Sequence, residues 1–245
     1  MTKSDAIFDL ESTHRADAPR LRRVSNPVEQ HPAFWEYCLN SAMPDIVADL
    51  VGPDVKFHHS KLNFKWAHGG EEVKWHYDIS FSPHTNYSPL TVGTYLYDCG
   101  MEQGPLAVIP RSHMIDPMLS QYDAKGNWTG CLSDADCAKL DLSKAVYLPG
   151  PAGSLIVHNC RTLHYCARNE SNLGRPLLLN TMTSADAFPY TVNPIKPKHD
   201  QFLLRGKRAL YAHHDPQPCL VPPDSKGYTS IFALQQEEKE EVVVR

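Results

Sequence analysis

The sequence predicts a mainly β fold with flanking helices, a double-sheet jelly roll or a barrel. Three observations predict it. Seven to nine short segments between residues 55 and 184 read as strands. Turn signals separate them, in a chain with 20 prolines and 13 glycines. The clearest helical period lies ahead of them, at residues 27–52.

Residues 1–26 read as an irregular, charged lead-in. In residues 27–52, Phe34, Tyr37, Cys38, Met43, Ile46, Val47 and Leu50 recur with a rough 3.6 period, and Gly52-Pro53 stops it. Pro44 is expected to break this helix into two pieces. From Val55 the period changes to two. Leu62, Phe64 and Trp66 share one face, toward a core; Lys61, Asn63 and Lys65 share the other, toward something wet. Residues 67–72, with Gly69-Gly70, form a turn, and residues 73–80 form a second strand expected to pair with the first as a hairpin.

Residues 90–98 give a third strand, and residues 104–109 a short fourth that Pro110 ends. A long loop over residues 112–143 follows, with short helices and a turn at residues 125–127. Residues 144–148, 153–157, 161–166 and 176–183 supply the remaining strands. Residues 185–245 read as a loop-rich C-terminal segment with a charged tail from Glu237. There is no internal repeat, so one domain over residues 1–245, with its strand core at 55–184, is the economical organisation.

Composition excludes several classes. Lys and Arg total 24 against 28 Asp and Glu, a net charge of −4. The densest basic cluster, Arg20, Arg22 and Arg23, is too short to make a nucleic-acid groove or a membrane-binding patch. No apolar run approaches the ~20 residues that span a bilayer, and the polar N-terminus lacks the apolar core of a signal peptide, so the cytoplasm is the expected location. Seven cysteines form no Cys-x-x-Cys pair, and reduced, mostly buried thiols are expected. Thirteen histidines exceed what surface chance gives, which raises the question of metal-ligand spacing.

Trp75-His76-Tyr77-Asp78 supplies the first answer. On a strand, residues i and i+2 project to one side, so His76 and Asp78 point together. His164 supplies a second imidazole. Two histidines and one carboxylate form the ligand set of non-haem Fe(II) oxygenases, which leaves positions open for a chelating co-substrate and O2. Arg175 follows His164 by eleven residues. Its planar fork suits the far carboxylate of a dicarboxylate co-substrate such as 2-oxoglutarate. His158, seventeen residues before Arg175, competes for the distal position. His58, His59, His68 and His84 lie near the first block, where facing the substrate is one reading and a solvated side chain the expected one, and His213-His214 are expected on the surface.

These blocks resemble the phytanoyl-CoA dioxygenase family of 2-oxoglutarate-dependent oxygenases. Lys74-Trp-His-Tyr-Asp-Ile-Ser80 is similar to its first ligand block. Glu102-Gln-Gly-Pro-Leu-Ala-Val-Ile-Pro-Arg-Ser-His113 is similar to its most characteristic segment. Residues 150–175 resemble its last block, in which the distal histidine precedes an Asn-x-Ser, here Asn169-Glu-Ser171, and then the co-substrate arginine. The chain departs from the family with Tyr77 where Gln is frequent, Arg111 where Gly is usual, Ser154 for Asp and Cys166 for Ser; none of these removes a ligand.

The resemblance implies a cupin-like double-stranded β-helix, iron on His76, Asp78 and His164, and 2-oxoglutarate on Arg175. It also implies co-substrate contacts from Thr94 and Asn63. The implied reaction consumes O2 and 2-oxoglutarate, releases succinate and CO2, and hydroxylates an unactivated C–H. Desaturation, epimerisation or demethylation are related outcomes. Halogenases of this kind lack the carboxylate, so Asp78 speaks against halogenation. The alternative from another class is a cupin-like metal-binding protein without 2-oxoglutarate turnover, which has no need of Arg175. Lys61, Lys65 and Arg161 point to a positively lined mouth and a small anionic or zwitterionic substrate.

Overall fold

The computed structural model describes residues 3–193, 195, 197–223 and 230–235. Two short strands come first, β1 (Phe8–Leu10) and β2 (Leu21–Ser25). Three helices follow, α1 (Pro27–Gln30), α2 (Pro32–Asn40) and α3 (Met43–Val51), each with a proline in its first turn. Proline is tolerated there because its missing N–H has no helical partner to lose. The helical segment is therefore divided at Pro32 as well as at Pro44, into three pieces where two were expected.

The strands after the helices are β3 (Val55–Lys65), β4 (Val73–His76), β5 (Leu90–Tyr95) and β6 (Leu106–Val108). After the one-turn helix α4 (Asp134–Cys137) come β7 (Val146–Tyr147), β8 (Leu155–Asn159), β9 (His164–Cys166) and β10 (Arg175–Ser184). Among its described residues the C-terminal part adds β11 (Leu203–Arg205) and α5 (Ile231–Gln235); the charged tail from Glu237 lies outside the described residues.

The strands form two antiparallel sheets. The larger runs β1-β2-β3-β10-β5-β8, with β11 also on β3; the smaller runs β4-β9-β6-β7. Together they line one cavity of about 690 Å3. This is a mostly β, double-sheet jelly roll. On the outer face of the larger sheet, Cys38, Met43 and Val47 of the helices pack on Phe57, Val92 and Met182. All six are fully buried. Removing one such large side chain costs about 2–5 kcal/mol, so the helices fix which face of the sheet is left for the cavity.

Two expectations change. β3 and β4 are not a hairpin: β3 pairs with β2, β10 and β11, while β4 pairs with β9. With both edges of β3 taken, the Gly69-Gly70 turn carries the chain from one sheet to the other. The lead-in is also not irregular, because β2 joins the larger sheet with Arg23 opposite Asn63. Its Arg22 is buried, held by Asp9 at 2.8 Å and by Glu71. Paired and hydrogen-bonded, a buried guanidinium is tolerable; alone it is not.

The alternation on β3 is realised. Leu62 packs in an outer cluster with Val24 and Leu178, with Phe64 against it, and Lys61, Asn63 and Lys65 line the cavity. Gly104, in the Gly-Pro-Leu block, has φ of +63°, and a side chain there would strike the Ala167 and Arg168 carbonyls. All seven cysteines are unpaired, five of them buried. Among the described residues, no helix is long and apolar enough to cross a membrane.

Candidate active site

His76 ends β4, Asp78 lies two residues beyond it, and His164 opens β9 opposite His76. One ligand atom from each of the three lies within 4.8 Å of the others. Asp78 Oδ1 is 3.8 Å from His76 Nε2 and 3.7 Å from His164 Nε2.

The imidazoles are oriented by the backbone. His76 Nδ1 donates to the Lys74 carbonyl at 2.8 Å, and His164 Nδ1 donates to the Thr162 carbonyl at 2.9 Å. That tautomer leaves each Nε2 with a free lone pair. Burial pushes the His76 imidazole down to about 4 and that of His164 well below its usual value, so both are neutral at neutral pH. Burial works against the Asp78 carboxylate, yet His164, His158 and Lys61 outweigh it and hold the group well below the usual carboxylate range.

The second Asp78 oxygen is already engaged. Thr91 Oγ1 donates to Oδ2 at 3.0 Å and His158 Nε2 at 3.2 Å. His158 thus meets the carboxylate from β8, on the larger sheet, and stands outside the three-residue cluster. Two neutral Nε2 lone pairs and one free carboxylate oxygen form a donor set that fits a first-row divalent metal with open positions.

Arg175, the first residue of β10, faces the same cavity and is only 3% exposed. Its Nε has no hydrogen-bond partner, and no carboxylate among the described residues pairs with the guanidinium. A buried cation left without an anion costs several kcal/mol unless a ligand supplies one. Opposite it on the ladder is Lys65, whose ammonium donates to the carbonyls of Glu71, Cys166 and Ala167. Lys65 is satisfied by the protein; Arg175 is not.

Asn63 lines the cavity beside Arg23, with a buried Oδ1 that has no partner. Thr94, expected in the cavity, faces the other way. It pairs with Leu178 of the outer cluster, and its hydroxyl bonds Tyr37 of α2 at 3.1 Å. Thr91 is the residue of β5 that reaches the site, and an odd offset of three places Thr94 on the opposite face. Arg161 is likewise outside the cavity, stacked 4.4 Å from the Tyr87 ring centroid and donating to the Ile115 carbonyl. His58, His59 and His84, expected to be solvated, are buried and line the cavity, whereas His68 is exposed. Sequence reasoning missed Arg23, Thr91 and the bond from His158 to Asp78; the parity of Thr91 with Gly93 carried no polar signal that would have marked the inner face.

The family model of phytanoyl-CoA dioxygenase (PhyH) matches residues 5–177, most of the chain, including His76, Asp78, Thr91, His158, His164 and Arg175. The chain belongs to the phytanoyl-CoA dioxygenase family. Among curated relatives, a probable alpha-ketoglutarate-dependent hypophosphite dioxygenase of Stutzerimonas stutzeri is 28% identical over 238 residues, 96% of this chain and 83% of the relative. An ectoine dioxygenase of Sphingopyxis alaskensis is 25% identical over 82% of this chain and 71% of its own length. An L-proline trans-4-hydroxylase of Streptomyces griseoviridis is 27% identical over 79% of this chain and 73% of its own. Among solved structures, EctD from S. alaskensis with bound Fe superposes with a TM-score of 0.63 at 20% identity, covering 82% of this chain and 73% of that one. The jelly roll is therefore the fold shared with these structures.

Proposed function

We propose that this chain is an Fe(II)- and 2-oxoglutarate-dependent dioxygenase that hydroxylates a small molecule and releases succinate and CO2. The carrying observation is the neutral, backbone-oriented pair His76 and His164 converging with Asp78, in a cavity that also holds an unpaired buried arginine. In this reading His76, Asp78 and His164 hold the iron. Arg175 anchors the far carboxylate of 2-oxoglutarate, and the Asn63 amide donates to the same molecule. Bound iron supplies the activation of O2 that accompanies decarboxylation of 2-oxoglutarate. The protein supplies the rest: backbone carbonyls fix both rings, and Thr91 and His158 fix the carboxylate.

The relatives named for hypophosphite, ectoine and L-proline support both the reaction class and a small-molecule substrate. We read residues 1–245 as one catalytic domain, since both sheets contribute to the one site. The reducing cytoplasm is the compartment in which seven unpaired cysteines persist. The test is anaerobic addition of Fe(II) and 2-oxoglutarate. The weak visible charge-transfer band of the chelate is expected in the wild type and absent in Arg175→Ala. A wild type without the band refutes the proposal.

A further inference from the structure

The cavity is unusually cationic for a chain whose net charge is −4. Four basic side chains line it: Arg23, Lys61, Lys65 and Arg175. The carboxylates among its described lining residues are Asp5 and Asp78. Asp5 is exposed, and its Oδ1 already accepts the amides of Ile7 at 2.8 Å and Phe8 at 2.7 Å.

The charges can be assigned one by one. Fe(II) and Arg175 together balance Asp78 and the 2-oxoglutarate dianion. Lys65 is closed off by its three carbonyls. Arg23 has Ser25 Oγ at 3.3 Å and the nearby Asp9 field. Lys61 is what remains. It sits on β3 between Ser25 and Leu179 of the neighbouring strands, on the cavity face. It makes no hydrogen bond or ion pair to any described residue. Burial pushes its ammonium down, and the charge that opposes this most is Asp78, so Lys61 lies within the field of the proposed metal site.

We infer that the substrate is a small anion without a cationic group of its own, and that Lys61 seats its charge. This rests on the iron and 2-oxoglutarate reading above and narrows it. A zwitterion brings a cation as well, and the carboxylates among the described lining residues are the exposed Asp5, whose Oδ1 already accepts two amides, and Asp78, which serves the proposed metal site. An anion completes Lys61 and brings nothing that must be paired. Uncharged polar partners are also waiting: His59 Nδ1 and His84 Nε2 are buried on the same cavity with no hydrogen-bond partner. Their imidazoles are held neutral by burial, so they serve as hydrogen-bonding groups and leave the charge to Lys61.

The experiment uses the full chain loaded anaerobically with Fe(II) and 2-oxoglutarate. Hypophosphite, formate and acetate are titrated as small anions, and L-proline and ectoine as zwitterions. Binding is followed by calorimetry and by perturbation of the chelate band. The wild type is expected to respond to at least one anion and to neither zwitterion. Lys61→Met is expected to weaken that response about 10- to 100-fold, as for a lost charge-assisted hydrogen bond, and Lys61→Arg to retain it. A zwitterion that binds while every anion fails overturns the inference. So does an anion that binds Lys61→Met as tightly as the wild type. If Lys61→Met instead loses 2-oxoglutarate while Arg175→Ala keeps it, Lys61 is the co-substrate's cation and the inference also falls. A chelate band missing from the wild type is a different failure, that of the iron and 2-oxoglutarate reading itself.

Discussion

Replacing Arg175 with methionine is expected to move binding and stability in opposite directions. The guanidinium is buried at the start of β10, faces Lys65 across the ladder, and has no carboxylate partner among the described residues. In the ligand-free protein it is a desolvated cation beside another cation. Methionine fills similar space without charge and is expected to stabilise the ligand-free chain by about 1 kcal/mol, a rise of about 2–4 °C in Tm for this size. With 2-oxoglutarate present the balance reverses. A bidentate arginine–carboxylate contact carries two charge-assisted hydrogen bonds, each about 1.5–3 kcal/mol. Losing both weakens the co-substrate by about 10²- to 10⁴-fold. Scanning calorimetry with anaerobic Fe(II), with and without 2-oxoglutarate, reads both terms. At a hundredfold excess over its Kd, a ligand stabilises the wild type by about 2.7 kcal/mol, and the variant is expected to show almost none of this. A variant that melts well below the wild type without ligand would make Arg175 a structural residue. A variant with the full 2-oxoglutarate shift would remove it from the co-substrate site.

His164→Ala is expected to abolish Fe(II) binding in a calorimetric titration, whereas His158→Ala weakens it about 10- to 100-fold by releasing Asp78 Oδ2; the reverse order would exchange their roles. Thr94→Val is expected to leave 2-oxoglutarate affinity unchanged and to cost about 1 kcal/mol of stability through the lost Tyr37 contact. A drop in co-substrate affinity would restore the role the family resemblance implies. His84 is buried, and burial, then the nearby His58, push its imidazole down to about 4 from an ordinary 6.5. The unfolded chain therefore binds more protons between these values, so the metal-free protein loses stability as pH falls from 6.5 to 4. His84 contributes roughly 3 kcal/mol of that loss at about 1.4 kcal/mol per unit, and denaturation midpoints of His84→Gln should show a flatter acid limb. An unchanged limb would mean that His84 is solvated in solution.

Where one face of a strand is wet and the other dry, the sequence carries its orientation. β3 is such a strand: Leu62 and Phe64 alternate with Lys61, Asn63 and Lys65, and the inner face follows from the pattern alone. The metal-ligand cluster was legible for a related reason, since His76 and Asp78 need only a local i, i+2 relation. β2 was hidden because Leu21–Ser25 carries two arginines, and charge reads as surface. Its Arg22 is buried where Asp9 and Glu71 meet it, a pairing set by tertiary structure, and its Arg23 lines the cavity. β5 was recognised as a strand but not oriented. All six of its residues are buried, so no polar alternation marks which side is which. Its orientation is imposed by register, with Thr91 beside Thr181 on the inner face and Thr94 beside Leu178 on the outer. The same limit hid the buried His58, His59 and His84. In a double-sheet fold whose larger sheet is covered by helices outside and encloses a polar cavity inside, polarity ceases to distinguish inside from outside. A polar residue there takes its role from the strand opposite it, which is why Thr91 holds Asp78 and Thr94 holds Tyr37.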